Sequence, residues 1–216
     1  MALDVELGAG INLVFCSPLL IRTMSETGQV NAALRAAILE AEAAGSGVKV
    51  SNVGGWQSDT TFLQWPVPEI ATLRTWINDA VVHMTRLPFS EPVPVEFSAY
   101  GWANINRNGD YNRVHNHGED HWACVYYVDC GQPVPGRAMN GKIEFRDPRQ
   151  GASTHSDNKF PGFTFGHAML VEPQAGMLLM FPGWLDHCVH PFFGNGERIS
   201  VAINIRLTKV RDMVPS

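Results

Sequence analysis

The stretch Arg198-Ile199-Ser200-Val201-Ala202-Ile203-Asn204-Ile205-Arg206-Leu207 alternates aliphatic residues with polar or small ones. Successive side chains of a β-strand point to opposite faces, so the stretch is predicted to be a strand with one wholly aliphatic face. In an ordinary sheet the other face would meet solvent. The alternative is that the aliphatic face packs under helices, while the face with Arg198, Ser200 and Asn204 lines a polar cavity. The position of the strand, shortly after His187, favours the cavity.

Upstream of this strand, from about residue 92, short β-prone runs are separated by Gly, Pro, Asn and Asp. This texture predicts an antiparallel sandwich or barrel, because those residues form the turns between strands. The other strands are predicted at residues 95–106, 121–129, 142–146, 168–172 and 177–181. The aperiodic residues 148–166 are predicted to form a lid or a substrate loop.

The first ninety residues are predicted to be structural. A helix is predicted over residues 30–44, where Leu34 and Ile38 have helical spacing, and a second helix is predicted after Pro68. Both helices are expected to cover one face of the sheet. Residues 51–58, between them, are predicted to be a loop in which Trp56 is a packing anchor.

Length and composition predict a single domain over residues 1–216, with a flanking region at 1–92 and a β core at 93–210. The net charge of −5 argues against binding nucleic acid through phosphate contacts. A secretory signal and a membrane-spanning segment are not recognised, so a cytoplasmic protein is expected. The four cysteines form no CxxC pair and are expected to be reduced; Cys124 and Cys188 are interpreted as small apolar fillers.

Seven of the eight histidines, all but His83, lie between residues 115 and 190. On a strand, His115 and His117 would point the same way and share a metal ion. His187, in a Pro- and Trp-rich stretch after an apolar run, is the best third ligand because a strand end would hold it rigidly. The pattern predicts a three-histidine metal site with open positions.

The chemistry of the site follows from its neutral ligands. Imidazoles suit Fe, Zn, Cu or Ni, and without a carboxylate they leave the ion more positive, which favours an anionic chelator. Arg198 is suited to anchoring the carboxylate of such a chelator. A zinc hydrolase or hydratase is the alternative, but it needs no carboxylate anchor.

These motifs, taken together, resemble those of the iron(II)- and 2-oxoglutarate-dependent dioxygenases. The resemblance covers roughly residues 95–210, and the likeness is strongest to the bacterial and phage oxygenases that carry two His one residue apart and a distal FPxWxxHxV element. It rests on Gly109-Asp110-Tyr111-Asn112-Arg113-Val114-His115-Asn116-His117, the strand Cys124-Val125-Tyr126-Tyr127-Val128, Gly141, Phe145, Pro173, Gly176, Phe181-Pro182, His187, Arg198 and Ser200.

The resemblance implies a mainly β fold, the double-stranded β-helix (a cupin-like jelly roll), with flanking N-terminal helices. It implies Fe(II) held by His115, His117 and His187. It also implies that Arg198, Ser200 and Tyr127 bind the far carboxylate of 2-oxoglutarate, which leaves Tyr126 facing the other way. Asn204 and Trp184 are further candidates for the cavity wall.

His117 departs from the family pattern, which has Asp or Glu at this position. Because Glu119 stands two residues beyond His117, the pair His117 and Glu119 also has the spacing of the usual motif. In that register His115 would no longer be a ligand. The first register is preferred because Gly109 and the strand 124–128 align better with it.

The expected activity is hydroxylation of a C–H bond, with Fe(II) as the metal, 2-oxoglutarate as co-substrate, O2 as oxidant, and release of succinate and CO2. The substrate is not readable from the sequence, although Trp102, Trp122, Arg146 and Arg149 are candidates to face it. Two alternatives stay open: a non-catalytic cupin-like binding protein, and a three-histidine dioxygenase that does not use 2-oxoglutarate. A homodimer is also left open.

Overall fold

The computed structural model describes residues 17–86, 94–148 and 168–210. Two helices precede the β core: α1, Gly28–Ala44, and α2, Ile70–Arg86. Each buries an apolar stripe at spacings of three and four residues, as the sequence predicted. The buried positions are Val30, Leu34 and Ile38 on α1, and Ile70, Leu73, Ile77, Ala80, Val81 and Met84 on α2. In the described residues no helix is long and apolar enough to cross a membrane.

Two antiparallel sheets face each other. The major sheet has the strand order β1-β9-β6-β11-β4-β3, and the minor sheet has the order β2-β5-β10-β7-β8. The strands are β1 Leu20–Thr23, β2 Asn52–Val53, β3 Trp56–Gln57, β4 Val95–Asn106, β5 Tyr111–His115, β6 Trp122–Pro133, β7 Ile143–Phe145, β8 Met169–Val171, β9 Met177–Pro182, β10 His187–Val189 and β11 Gly194–Val210. A short 3-10 helix, Phe62–Gln64, precedes α2.

From β4 onward the successive described strands alternate between the two sheets, except that β7 and β8 are neighbours in the minor sheet. Strands β4, β6, β9 and β11 lie in the major sheet, while β5, β7, β8 and β10 lie in the minor sheet. This alternation is the double-stranded β-helix, and the fold prediction is confirmed. Strands β1, β2 and β3 only extend the sheets at their edges.

The central strand β11 divides the interior into two parts. It pairs with β4 on one side and β6 on the other. Its aliphatic residues Ile199, Val201, Ile203 and Ile205 are fully buried in a cluster that includes the buried stripes of both helices. Burying a side chain of this size contributes about 1.5–3 kcal/mol. The helices therefore cover the aliphatic face, as predicted, and the polar face points into the space between the sheets.

Strand β6 has the same two-sided organisation. Tyr126 belongs to the helix-side cluster and its hydroxyl donates to Asn31 Oδ1 at 2.6 Å, whereas Tyr127 belongs to the cluster between the sheets. The prediction that these neighbouring tyrosines point in opposite directions is confirmed.

Several predicted boundaries need correction. Residues 51–58 are not wholly loop, because β2 and β3 pair there with β5 and β4. Trp56 is indeed an anchor: it is buried and its Nε1 donates to Gly45 O at 2.9 Å. Strand β5 ends at His115, so His117 lies beyond the strand. Most of the predicted lid, 149–166, including Arg149, lies outside the described residues.

Candidate metal and co-substrate site

Three imidazoles meet between the sheets at one end of the fold. Nitrogen atoms of His115, His117 and His187 all lie within 4.8 Å of one another. Their ring centroids are separated by 4.4 Å for His115 and His187, and by 5.2 Å for each pair that includes His117. The structure therefore brings together the three residues that the sequence singled out, in an arrangement that can surround one metal ion.

Backbone carbonyls orient two of these rings. His115 Nδ1 lies 2.7 Å from Arg113 O, and His187 Nδ1 lies 2.8 Å from Leu185 O. A carbonyl can only accept, so each Nδ1 carries the proton and each Nε2 keeps its lone pair for a metal. His115 and His187 face each other across β5 and β10, because they are register partners at the ends of those strands.

Burial keeps the three imidazoles neutral. Desolvation, and secondarily the neighbouring His115, lowers the pKa of His187 to about 3 and that of His117 to about 4. Desolvation also lowers the pKa of His115, against a smaller opposing effect of its bond to the Arg113 carbonyl. A neutral imidazole is the form that ligates a metal, so near pH 7 the three rings are ready to bind one.

Two backbone hydrogen bonds join the loops that carry His117 and His187. His117 N donates to Gly183 O at 2.6 Å, and Gly183 N donates to His121 O at 3.0 Å. The approach is so close that a Cβ on Gly183 would lie 2.1 Å from Asp120 O and 2.8 Å from His117 O. Only glycine permits this contact. It positions His117, which the end of β5 at His115 leaves without strand support.

Arg198 lies in the same cavity as the imidazoles and is only 2% exposed. Its Nε donates to Gly141 O at 3.1 Å and its Nη1 to Asn106 Oδ1 at 3.4 Å, both neutral acceptors. Among the described residues, no carboxylate lies within ion-pair distance of this guanidinium. A buried charge without a partner is costly, so the cavity is suited to an anion.

Tyr127 and Ser200 lie beside Arg198. They are register partners on β6 and β11, and the Arg198 guanidinium carbon lies 5.1 Å from the centre of the Tyr127 ring. The Tyr127 hydroxyl is buried and has no hydrogen-bond partner among the described residues. Burial raises the pKa of Tyr127 to about 12, although the nearby Arg198 acts in the opposite direction. Tyr127 is therefore a protonated donor that lacks an acceptor.

The cavity between the sheets connects the imidazoles with Arg198. Its wall also carries buried asparagines and aromatic rings: it includes Trp102, Asn104, Asn112, Tyr127, Phe181, Ser200 and Ala202. A second, wider pocket of about 480 Å³ opens outward from His115 and His117. We call it the outer pocket; its wall includes Val50, Ser51, Gln57, Thr60, Tyr100, Trp102, Arg113, Val114, Asn116 and Asn204.

Of the other residues predicted to face the cavity or the substrate, some lie at the site and some lie elsewhere. Trp102 does face the site, with its ring 5.8 Å from that of His117, and Asn204 lines the outer pocket. Trp184 is 47% exposed and lies in a different pocket, as does Trp122. The exposed Arg146 pairs with Glu144 instead of facing the cavity.

Glu119, the alternative ligand, points away from the imidazoles. Its side chain is 92% exposed and lies 3.5 Å from Arg206 Nη2, outside the group of gathered nitrogen atoms. The structure therefore favours the register with His115 and His117 over the one with Glu119.

Several polar residues of the site escaped the sequence reasoning. Asn104 and Asn106 on β4, and Asn112 on β5, are buried and none of them was singled out. A signal was present, since Trp102, Asn104 and Asn106 alternate with the apolar Ala103 and Ile105 as the residues of β11 do. Tyr100 and Asp120 were also missed: the Tyr100 hydroxyl and Nδ2 of the predicted Asn204 both donate to Asp120 Oδ2, at 2.8 and 2.9 Å, and Tyr100 and Asn204 border the outer pocket.

Solved structures share this architecture at low sequence identity. A Pseudomonas putida prolyl-4-hydroxylase matches with a TM-score of 0.59 and 14% identity over 87% of this chain and 91% of its own. A Trichoplax adhaerens prolyl hydroxylase in complex with a hypoxia inducible factor peptide matches with 0.58 and 11%, over 87% and 83% of the two chains. Streptomyces hygroscopicus HygX, with nickel and 2-oxoglutarate bound, matches with 0.53 and 12%, over 89% and 83%. At such identities the likeness is one of fold. No curated protein sequence matches this chain significantly.

The chain thus has a double-stranded β-helix whose cavity holds three imidazoles and a buried arginine that has no carboxylate partner among the described residues, an arrangement suited to a metal ion and an anion. Residues 100–204 match the family described as "Putative 2OG-Fe(II) oxygenase", and that segment contains all six predicted site residues. Over residues 100–204 the chain is therefore identified with the 2-oxoglutarate- and Fe(II)-dependent oxygenases, and it is an oxidoreductase. Fe(II) and 2-oxoglutarate are the cofactors of this family.

Proposed function

We propose that this protein is a dioxygenase that hydroxylates a C–H bond of a substrate held in the outer pocket, with release of succinate and CO2. In this proposal His115, His117 and His187 hold Fe(II), while Arg198, Tyr127 and Ser200 hold the far carboxylate of 2-oxoglutarate. One observation carries it: the buried Arg198 guanidinium, which has no carboxylate partner in the described ranges, shares a cavity with three neutral imidazoles.

The imidazole nitrogens suit Fe(II), which accepts this kind of ligand. Three ligands would leave positions on the metal open for 2-oxoglutarate and O2. When bound, Fe(II) and 2-oxoglutarate would activate O2: 2-oxoglutarate supplies two electrons as it becomes succinate and CO2, and the substrate C–H bond supplies the other two. The protein's part is to keep the imidazoles neutral and fixed, through burial and the bonds to the Arg113 and Leu185 carbonyls.

Arg198 and Tyr127 suit the other end of the co-substrate. The guanidinium would gain the counter-ion that it lacks, and the Tyr127 hydroxyl would donate to a carboxylate oxygen instead of remaining unpaired. Ser200, opposite Tyr127, adds a short hydroxyl that can reach the same carboxylate. These groups are fixed on β6 and β11, at the centre of the major sheet, so they orient the co-substrate without rearrangement.

The outer pocket is suited to the substrate because its wall includes His115 and His117 but not Arg198. Its volume of about 480 Å³ accommodates a small molecule or one side chain of a peptide. Trp102 borders both the outer pocket and the cavity, so its ring limits how water and substrate reach the reacting positions. A peptide is a reasonable class to test first, given the peptide bound by the Trichoplax adhaerens enzyme.

The decisive experiment adds 2-oxoglutarate to the anaerobic protein loaded with Fe(II). We expect a visible charge-transfer band that forms only with 2-oxoglutarate, followed by succinate formation when air is admitted. The matched controls are succinate, which lacks the keto group, and the Arg198→Met protein, which lacks the anchor. The absence of both band and succinate would instead favour a three-histidine dioxygenase that does not use 2-oxoglutarate, or a non-catalytic binding protein.

A further inference from the structure

A second group of metal-binding side chains lies on the outer face of the minor sheet. We call Glu144, Cys188 and His190 the outer cluster. Cys188 on β10 is the register partner of Glu144 on β7, and His190 follows two residues after Cys188. Alternation along the strand turns Cys188 and His190 to one face and His187 to the opposite face. The outer cluster and the three-imidazole centre therefore lie on opposite sides of the same short strand.

The side chains of the outer cluster are close together and shielded. One oxygen, one sulfur and one nitrogen atom from these residues all lie within 4.8 Å of one another. Glu144 Oε2 lies 2.8 Å from His190 Nε2, and their side chains are 14% and 23% exposed. Cys188 is 8% exposed, and no hydrogen bond to its thiol is found in the part of the chain that the structure describes.

The donor set selects the metal. Thiolate, imidazole and carboxylate together are typical of zinc, whereas Mg²⁺ and Ca²⁺ prefer oxygen ligands alone. Zn–ligand bonds of about 2.0–2.3 Å place tetrahedral donors about 3.5 Å apart, a separation that small side-chain rotations give here. The Cys188 thiolate and the Glu144 carboxylate would neutralise a divalent ion. Arg146 Nε lies 3.4 Å from the other oxygen of Glu144 and helps to hold that side chain in place.

We propose that the outer cluster is a zinc site that joins β7 to β10, with water as the fourth ligand. Binding replaces the thiol proton of Cys188 and the direct Glu144–His190 bond with three bonds to the ion. Strands β7 and β10 contain three residues each, so they have few backbone hydrogen bonds of their own. The zinc thus supports the strand that carries His187, although its binding does not depend on the proposed function.

The test uses the full chain with His115→Ala and His117→Ala, which removes two of the three inner imidazoles and leaves the outer cluster. We expect one equivalent of Zn(II), and with Co(II) an intense near-ultraviolet band from thiolate-to-cobalt charge transfer. Adding Cys188→Ser should remove the band and weaken Zn(II) binding by at least about 100-fold. Adding Cys130→Ser, which changes a cysteine in the other sheet, should leave both unchanged.

His190→Gln and Glu144→Gln test the same site without changing a buried thiol. Both side chains lie near the surface, so these substitutions should not disturb the fold. Each should weaken Zn(II) binding by at least about 10-fold while circular dichroism of the metal-free protein stays the same. A missing thiolate band, or Zn(II) binding unaffected by all three substitutions, would overturn the site. That failure would leave the band with Fe(II) and 2-oxoglutarate intact, so the two proposals fail separately.

Discussion

The two faces of β11 are both buried, yet they differ in composition and in energetic effect. The face toward the helices carries Ile199, Val201, Ile203 and Ile205, which all pack against apolar neighbours. The face toward the minor sheet carries Arg198, Ser200 and Asn204, each 5% exposed or less. On the first face burial stabilises the fold. On the second face, the buried guanidinium of Arg198 has no carboxylate partner among the described residues, so its burial opposes folding, as is common for a surface that binds a ligand.

The difference teaches that burial alone does not identify core residues. Ile203 and Arg198 lie five positions apart on β11 and are both buried, yet replacing them should have opposite effects on stability and on ligand binding. Replacing the isoleucine should cost stability and spare binding, whereas replacing the arginine should spare stability and cost binding. Four substitutions, on β11 and at the site beside it, test this difference between loss of stability and loss of binding.

The largest effect is expected from His187→Ala. Loss of one of the three proposed ligands should abolish stoichiometric Fe(II) binding and therefore all turnover. Iron content after anaerobic reconstitution measures it. Glu119→Gln and His83→Ala, which change an exposed carboxylate and an exposed histidine, are the matched controls and should retain iron. If Glu119→Gln lost iron while His117→Ala kept it, the ligand set would have to be redrawn.

Ile203→Ala tests the apolar face. Because Ile203 is fully buried beneath the helices, we expect the free energy of unfolding to fall by about 3 kcal/mol. Urea denaturation of the metal-free protein gives the value. The affinity of the remaining folded protein for 2-oxoglutarate should stay within about twofold of the wild type, since distant effects are usually independent. A parallel loss of affinity would mean that the two faces are coupled.

Arg198→Met tests the polar face. Methionine has a similar length and no charge to leave unpaired, so the free energy of unfolding should change by less than about 1 kcal/mol or increase. The affinity for 2-oxoglutarate should fall by about 30-fold, near 2 kcal/mol. Titration of the charge-transfer band against 2-oxoglutarate measures the affinity. Arg198→Lys, which keeps the charge but not the fork of donors, should be intermediate.

The smallest effect is expected from Tyr127→Phe. Removing one hydroxyl should weaken 2-oxoglutarate by about fivefold, or 1 kcal/mol, because a single hydrogen bond to a carboxylate is lost. Without the co-substrate, the same change should slightly stabilise the protein, since it removes a buried hydroxyl that has no hydrogen-bond acceptor within residues 17–86, 94–148 and 168–210. Thermal unfolding with and without 2-oxoglutarate measures both the gain in stability of the free protein and the loss of stabilisation by the co-substrate. Equal midpoints for both proteins under both conditions would exclude the proposed contact.

Local periodicity was sufficient to predict much of the fold. Strand β4 was predicted at both of its ends, and the two-faced character of β11 followed from alternation alone. The full length of β11 could not be predicted in this way. The residues at its two ends lack the alternating pattern and are strand only because they pair with β4 and β6. Likewise β2 and β3 have two residues each, too few for a periodic signal, and exist through their partners in space.

The candidate site was predictable where the chemistry is concentrated in a motif. The three histidines, Arg198 and Tyr127 were singled out because their residue types and spacing are distinctive. The way in which His117 is held could not be predicted. Strand β5 ends before this residue, and a backbone hydrogen bond to Gly183 positions it instead. Cross-strand neighbours such as Glu144 and Cys188 were equally hidden, because their register depends on pairing that the sequence does not state.

The close contact at Gly183 changes how a mutational survey of this protein should be read. Alanine scanning infers the worth of a residue from what is lost when its side chain is deleted. At Gly183 the same scan adds a methyl group where no room exists, beside the carbonyls of Asp120 and His117. A glycine without functional groups would then score among the most sensitive positions, although it touches neither metal nor co-substrate. Gly183 contributes to this enzyme because it has no side chain, which leaves room for the carbonyl groups of Asp120 and His117.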